Sequence, residues 1–115
     1  MKYVFMKDKQ YVEHILKHYA ELQIELSQIN NDFDTFQNST FYRKAILFDL
    51  LQIGELFNGL SDETKNQFSK EECRGIVDTR NYVAHGYIQL KDKSIWKTLY
   101  EELPPLVAKL KELFE

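Results

Sequence analysis

The chain predicts an all-α protein, a four-helix bundle whose last helix is kinked, or followed by a short fifth helix, at Pro104. Three observations lead there. Apolar residues recur at steps of three and four along most of the 115 residues. Leu, Glu, Lys and Gln, all strong helix formers, abound. Four Gly and two Pro leave little punctuation for a sheet. The length suits a single domain over 1–115, long enough to bury one core without staples. With 43% apolar residues, among them eight Phe, seven Tyr and one Trp, the chain has the means to build that core.

The first helix is expected over about Asp8 to Asn30. Val12, Ile15, Leu16, Tyr19, Leu22, Leu26 and Ile29 fall on one stripe of it, Asp8 is its expected N-cap, and Asn30-Asn31-Asp32 its stop. The polar stretch from Asn31 to Thr40 reads as a loop whose Phe33 and Phe36 tuck under the bundle, with Asn38, Ser39 or Thr40 capping the next helix.

The second helix runs from about Thr40 to Leu60 and is expected to end near Gly59, as glycine-terminated helices do. It carries two stripes. Ile46, Leu50, Ile53, Phe57 and Leu60 form an apolar one. Phe41, Ala45, Phe48, Gln52 and Glu55 form another that turns polar along its length. Such a helix is central in its bundle, shared with a second subunit, or both.

Ser61-Asp62-Glu63-Thr64 starts like a capped helical turn. The third helix is expected over about Lys70 to Ala84, on a stripe of Cys73, Ile76, Val77, Arg80, Val83 and Ala84, with Gly86 as a left-handed stop. The fourth covers about Asp92 to Glu102. Ile95, Trp96, Leu99 and Leu103 are continued in phase by Leu106, Val107, Leu110 and Leu113, across the Pro104-Pro105 pair. Proline lacks an amide hydrogen, so the helix must kink there or restart with proline in its first turn.

Composition excludes several classes of function. No apolar run reaches the ~18 residues a membrane helix needs. The opening MKYVFMKDKQ is too briefly apolar to act as a signal peptide. Cys73, the one cysteine, allows no internal disulfide, and a reducing, cytoplasmic setting is expected. A net charge of −3 argues against broad coating of nucleic acid, while leaving room for a local cationic pocket that handles one phosphodiester.

Arg80 is the anomaly, a guanidinium on a stripe position flanked by Ile76, Val77, Val83 and Ala84. There it must be paired or open to a groove. A buried ion pair with Glu55 is the structural explanation, and Gly54 beside Glu55 would let another helix come close. His85 follows five residues later, a step that turns ~140° around a continuous helix. The two can converge if the helix ends near His85 or if a symmetry-related copy supplies one of them. An imidazole that titrates near neutrality and an arginine that stays charged suit phosphoryl chemistry. A lone His at a helix C-terminus is also a favourable cap.

Other chemistries find less support. His14 and His18 are spaced i, i+4, but no Glu lies between them in the zinc-protease pattern, and Glu21 is the nearest carboxylate three or four residues on. No metal site is expected there. Cys73, on an apolar stripe, is expected to be inert. Tyr11, Tyr42 and Tyr82 could stack on bases or serve as ordinary packing residues.

The segment RNYVAHGY, Arg80 to Tyr87, resembles the R-x4-H-x-Y signature of the HepT-like branch of the HEPN superfamily, toxins encoded beside a minimal nucleotidyltransferase antitoxin. Ile53-Gly54-Glu55 resembles the family's IGE, and Ile95-Trp96 with the Leu103-Pro104 junction resembles its closing helix. The similarity runs from about Phe33 to Phe114. One departure is visible, since the Pro-Trp pair often found ahead of the third helix is replaced by Lys70-Glu71-Glu72-Cys73.

The resemblance implies a HEPN bundle acting as a homodimer, or in a higher oligomer with its antitoxin, and working as a metal-independent endoribonuclease with no cofactor. His85 would be the general acid–base, and Arg80 would hold the scissile phosphate. Asn81 would orient one or the other, with Glu55 in support. Tyr87 matches the tyrosine that the nucleotidyltransferase antitoxin adenylylates. The competing expectation is a HEPN partner that binds nucleotide or presents substrate to a nucleotidyltransferase without cutting RNA. A scaffold in which Arg80 merely pairs with Glu55 is a third.

Overall fold

The computed structural model describes residues 2–85 and 91–115, with side chains at 5–82 and 91–115. Helices α1 (Lys2–Gln28), α2 (Phe33–Asn38), α3 (Thr40–Asn58), α4 (Asp62–Lys65) and α5 (Lys70–His85) precede a closing unit. That unit is α6 (Asp92–Lys97), a π-helical segment (Thr98–Glu102) and α7 (Leu103–Phe114). No strand occurs among the described residues. The predicted all-α bundle is the observed one, formed by α1, α3, α5 and the closing unit. α3 packs against both α1 and α5.

The stripes were placed well. Val12, Ile15, Leu22 and Leu26 of α1 and Ile29 just after it are buried, as are Ile46, Leu50, Ile53 and Phe57 of α3. The α1 stop is as expected, with Asn30 and Asn31 at φ 58° and 53°, a left-handed conformation that asparagine tolerates. The expected loop after it contains a helix instead. Asp32 caps α2 by accepting from Thr35 N at 3.0 Å, and Phe36 is fully buried with its ring 5.3 Å from that of Trp96. Ser39 caps α3. Gly59 follows α3 at φ −81°, so it is not a left-handed stop.

Asp8 corrects a second expectation. It is no N-cap of α1, which begins at Lys2 and passes through it. Asp8 is buried and accepts hydrogen bonds from Ser61 N at 2.9 Å and from the Ser61 and Thr64 hydroxyls. It therefore fastens the start of α4 to α1. Burial works to raise its pKa, but these donors outweigh burial and hold the carboxyl below its usual range.

α5 starts on a reciprocal cap. Ser69 Oγ accepts from Glu72 N at 3.1 Å, and Glu72 accepts from Ser69 N at 2.8 Å. On α5, Ile76 and Thr79 face the core, while Val77, expected on the buried stripe, is 41% exposed. Gly86, the expected stop, lies outside the described residues.

At the prolines no loop intervenes, and a new helix, α7, starts with proline in its first turn, one of the two expected outcomes. Just before it the chain widens into the π segment, where the Leu103 amide donates to Thr98 O. The wider turn also keeps Ile95, Leu99 and Leu103 buried together, although their four-residue steps overshoot α-helical turns by about 40° each. Gly75 of α5 meets this segment so closely that a Cβ on it would lie 2.0 Å from Thr98 Oγ1. Glu102 completes the contact by accepting from Gly75 N at 2.8 Å and Ile76 N at 3.0 Å.

Candidate functional site

The described part of the motif segment, Arg80 to His85, lies in the C-terminal half of α5, beside α3. Gly54 makes the approach possible, since a Cβ there would sit 3.2 Å from Ile76 O and 3.4 Å from Arg80 Cβ. The stem of Arg80 thus lies over Gly54, and its Nε donates to Glu55 Oε1 at 3.0 Å. The pairing expected from the stripe anomaly exists, but it is not buried. The Arg80 side chain is 34% exposed and that of Glu55 58%. Among the described residues, the terminal nitrogens of Arg80 make no hydrogen bond, so the fork of donors that suits a phosphate is not consumed by the pair.

Asn81 follows at intermediate exposure. α5 stays helical through His85, so Arg80 and His85 occupy positions five residues apart on one helix, a step of about 140°. The His85 side chain and all of Tyr87 lie outside the described residues. On the far side of that segment, Arg43 grips Asp92 with Nε at 3.1 Å and one terminal nitrogen at 2.7 Å from Oδ1, which ties the start of α6 to α3.

The face that carries Glu55 and Arg80 continues into apolar surface. Phe41 is 76% exposed and Phe48 56%, both on the Glu55 stripe of α3, and Val77 precedes Arg80 by one turn of α5. A groove of about 660 Å³ opens along another edge of α5, between Arg74, Asp78, Ser94, Lys97 and Glu101, and Arg80 does not line it. Cys73 is half-buried, and burial, with the Glu102 and Glu72 charges behind it, pushes its thiol pKa up, in line with the expected inertness. Tyr11 and Tyr42 pack against the core.

One further cluster sits between α1 and α3. His18 Nδ1 lies 2.9 Å from Asp49 Oδ1 and 3.9 Å from Glu21 Oε2. Glu25, a turn further along α1, faces the same place. Burial first, then a hydrogen bond and repulsion from Asp49, push its pKa up to about 8. Sequence spacing showed His18 and Glu21 but gave no sign of Asp49, 31 residues beyond His18.

The structure gives an all-α bundle with a half-open arginine paired to a carboxylate. The chain matches the family described as Ribonuclease HepT-like over residues 9–113 and belongs to it. Two curated relatives, each carrying the name "Putative RNase", are similar. One, from Caldanaerobacter subterraneus subsp. tengcongensis, is 28% identical over 106 residues, which covers 91% of this chain and 92% of the relative. The other, from Methanocaldococcus jannaschii, is 25% identical over 75 residues, covering 65% and 69%. No solved structure gives a significant match.

Proposed function

We propose that this chain, one HEPN bundle over 1–115, is a metal-independent endoribonuclease, the toxin of a pair whose antitoxin is a minimal nucleotidyltransferase. The observation that carries the reading is the half-open state of Arg80. It belongs to the R-x4-H-x-Y segment of a chain in a ribonuclease family, and its charge is balanced by Glu55 without being sealed away. A phosphate approaching from solvent meets a guanidinium already held in place, with terminal donors to spare.

Cleavage then follows from the chemistry of RNA itself. The ribose 2′-OH loses its proton to an imidazole and attacks phosphorus. The 5′-oxygen leaves with a proton, giving a 2′,3′-cyclic phosphate and a 5′-hydroxyl. His85 is the group that takes or gives the proton. Arg80 stabilises charge on the phosphorane oxygens, and Asn81 orients the phosphate or the arginine. Two protomers joined through the Phe41–Phe48 face bring two copies of the motif into one cleft, which removes the 140° conflict between Arg80 and His85. Adenylylation of Tyr87 by the antitoxin adds negative charge and bulk beside Arg80 and so excludes RNA.

The test is cleavage of RNA in EDTA by wild type, Arg80→Ala and His85→Ala. The expected result is 5′-hydroxyl and cyclic-phosphate ends from wild type, with rates down about 10²–10⁴-fold in both variants. Cuts that persist unchanged in both would overturn the reading. Absence of cleavage by wild type would favour the substrate-presenting alternative. Intact mass after co-expression with the nucleotidyltransferase is expected to rise by AMP, and Tyr87→Phe to abolish the increment.

A further inference from the structure

The His18 cluster is unexplained by any nuclease role. Asp49 lies six residues before Glu55 on α3, a step of about 240° around the helix, so it faces α1 while Glu55 faces the α5 side. Three carboxylates and one imidazole converge there. Asp49 is only 2% exposed, and His18 and Glu21 connect the cluster to solvent with side chains 22% and 49% exposed. Among the described residues no lysine or arginine pairs with any of the three carboxylates. Burying an aspartate beside further carboxylates is expensive unless a cation accompanies it.

A second, independent observation points the same way. Glu25 Oε1 is sealed from solvent and meets no donor group among the described residues, and the neighbouring Asp49 carboxyl can bond to Glu25 only when a proton or a cation lies between them. Buried polar atoms are almost always satisfied, and an orphaned one marks a missing ion or water.

We propose that His18, Glu21 and Asp49 bind one first-row transition-metal dication of the Zn²⁺ type, with Glu25 as a further carboxylate donor or as the group that orients the others. The potential ligand atoms of His18, Glu21 and Asp49 all lie within 4.8 Å of one another, and the separations of 2.9 and 3.9 Å bracket those around a metal bound at about 2.1 Å. The imidazole selects against Mg²⁺ and Ca²⁺, which prefer all-oxygen sets. His18 binds through the Nδ1 lone pair, so a neutral ring carries its hydrogen on Nε2 and only an imidazolium would release a proton to solvent. The ion clips the middle of α1 to the middle of α3 and stands apart from Arg80, so it is structural and compatible with cleavage in EDTA.

The experiment is calorimetric titration of Zn²⁺, and of Co²⁺ with its visible bands, into chelator-treated full-length protein. Wild type is expected to bind one equivalent and to gain thermal stability, with Mg²⁺ at least tenfold weaker. His18→Gln and Glu21→Gln are each expected to weaken Zn²⁺ at least tenfold, and His14→Ala, one turn earlier on α1, to leave it unchanged. Both glutamine variants keep partly exposed positions, so their metal-free melting reports whether they fold. No stoichiometric binding by wild type, binding indifferent to both variants, or equal affinity for Mg²⁺ would each overturn the site. RNA cleavage is not a readout of this test, so its outcome is independent of the nuclease reading.

Discussion

At the scale of single residues, exposure decides what Arg80 does for the fold. A pair with one partner more than half exposed is worth about 0–1 kcal/mol, because solvent screens the attraction. Arg80→Ala is therefore expected to change unfolding free energy by less than about 1 kcal/mol in denaturant melts, while RNA cleavage falls ~100-fold or more. A loss of several kcal/mol would instead favour the scaffold reading, in which the arginine serves only the fold.

Asp8 is the contrasting residue. It is buried and takes three donors, so Asp8→Asn is expected to cost about 1–3 kcal/mol. Its folded pKa is depressed, so its stabilisation is complete above the unfolded value of 3.8 and disappears as pH falls through the folded value. The gap in Tm between wild type and Asp8→Asn should be widest near neutrality and close in acid. A gap that does not change with pH would contradict the assignment.

At the scale of elements, local pattern was enough wherever a helix is amphipathic. The α1 and α3 stripes, the paired asparagines after α1 and the continued phase across Pro104 as far as Leu110 were all readable, because each depends on neighbours within a turn or two. Leu113, expected on the same stripe, is exposed in the last turn of α7. What escaped depends on partners far along the chain. Nothing near Asp8 announces Ser61, and nothing near Gly75 announces Thr98 or Glu102. Val77 was misplaced because Thr79, a polar residue, takes the inward position by donating its hydroxyl to Gly75 O at 2.7 Å. At the site, the Arg80–Glu55 pair was legible as two charged residues on stripes that otherwise read apolar, but its openness was not.

The contact of α5 with the π segment yields its own prediction. A Cβ at position 75 collides with Thr98, so Gly75→Ala is expected to destabilise by about 1–3 kcal/mol. Thr98→Ala in the same chain should recover part of that loss, a coupling of about 0.5–3 kcal/mol in a double-mutant cycle. Additive effects would show that the two helices do not meet there.

At the scale of the whole molecule, two large aromatic side chains on α3 face solvent in line with the motif. No described helix is long and apolar enough to cross a membrane, so lipid does not account for that surface through a spanning segment. The proposed pairing of protomers would cover that surface and complete the cleft. Phe41→Glu with Phe48→Glu is expected to give a monomer by analytical ultracentrifugation, with helix content unchanged and cleavage lost. A dimer of wild-type affinity would place the interface elsewhere.

The bidentate grip of Arg43 on Asp92 sets a reach. His85 ends one helix, and Asp92 is pinned to α3, so the seven steps between them span at most about 25 Å when fully drawn out. Under the proposed adenylylation, a nucleotide attached within that span would be held at high local concentration beside the motif and would need little intrinsic affinity to exclude RNA.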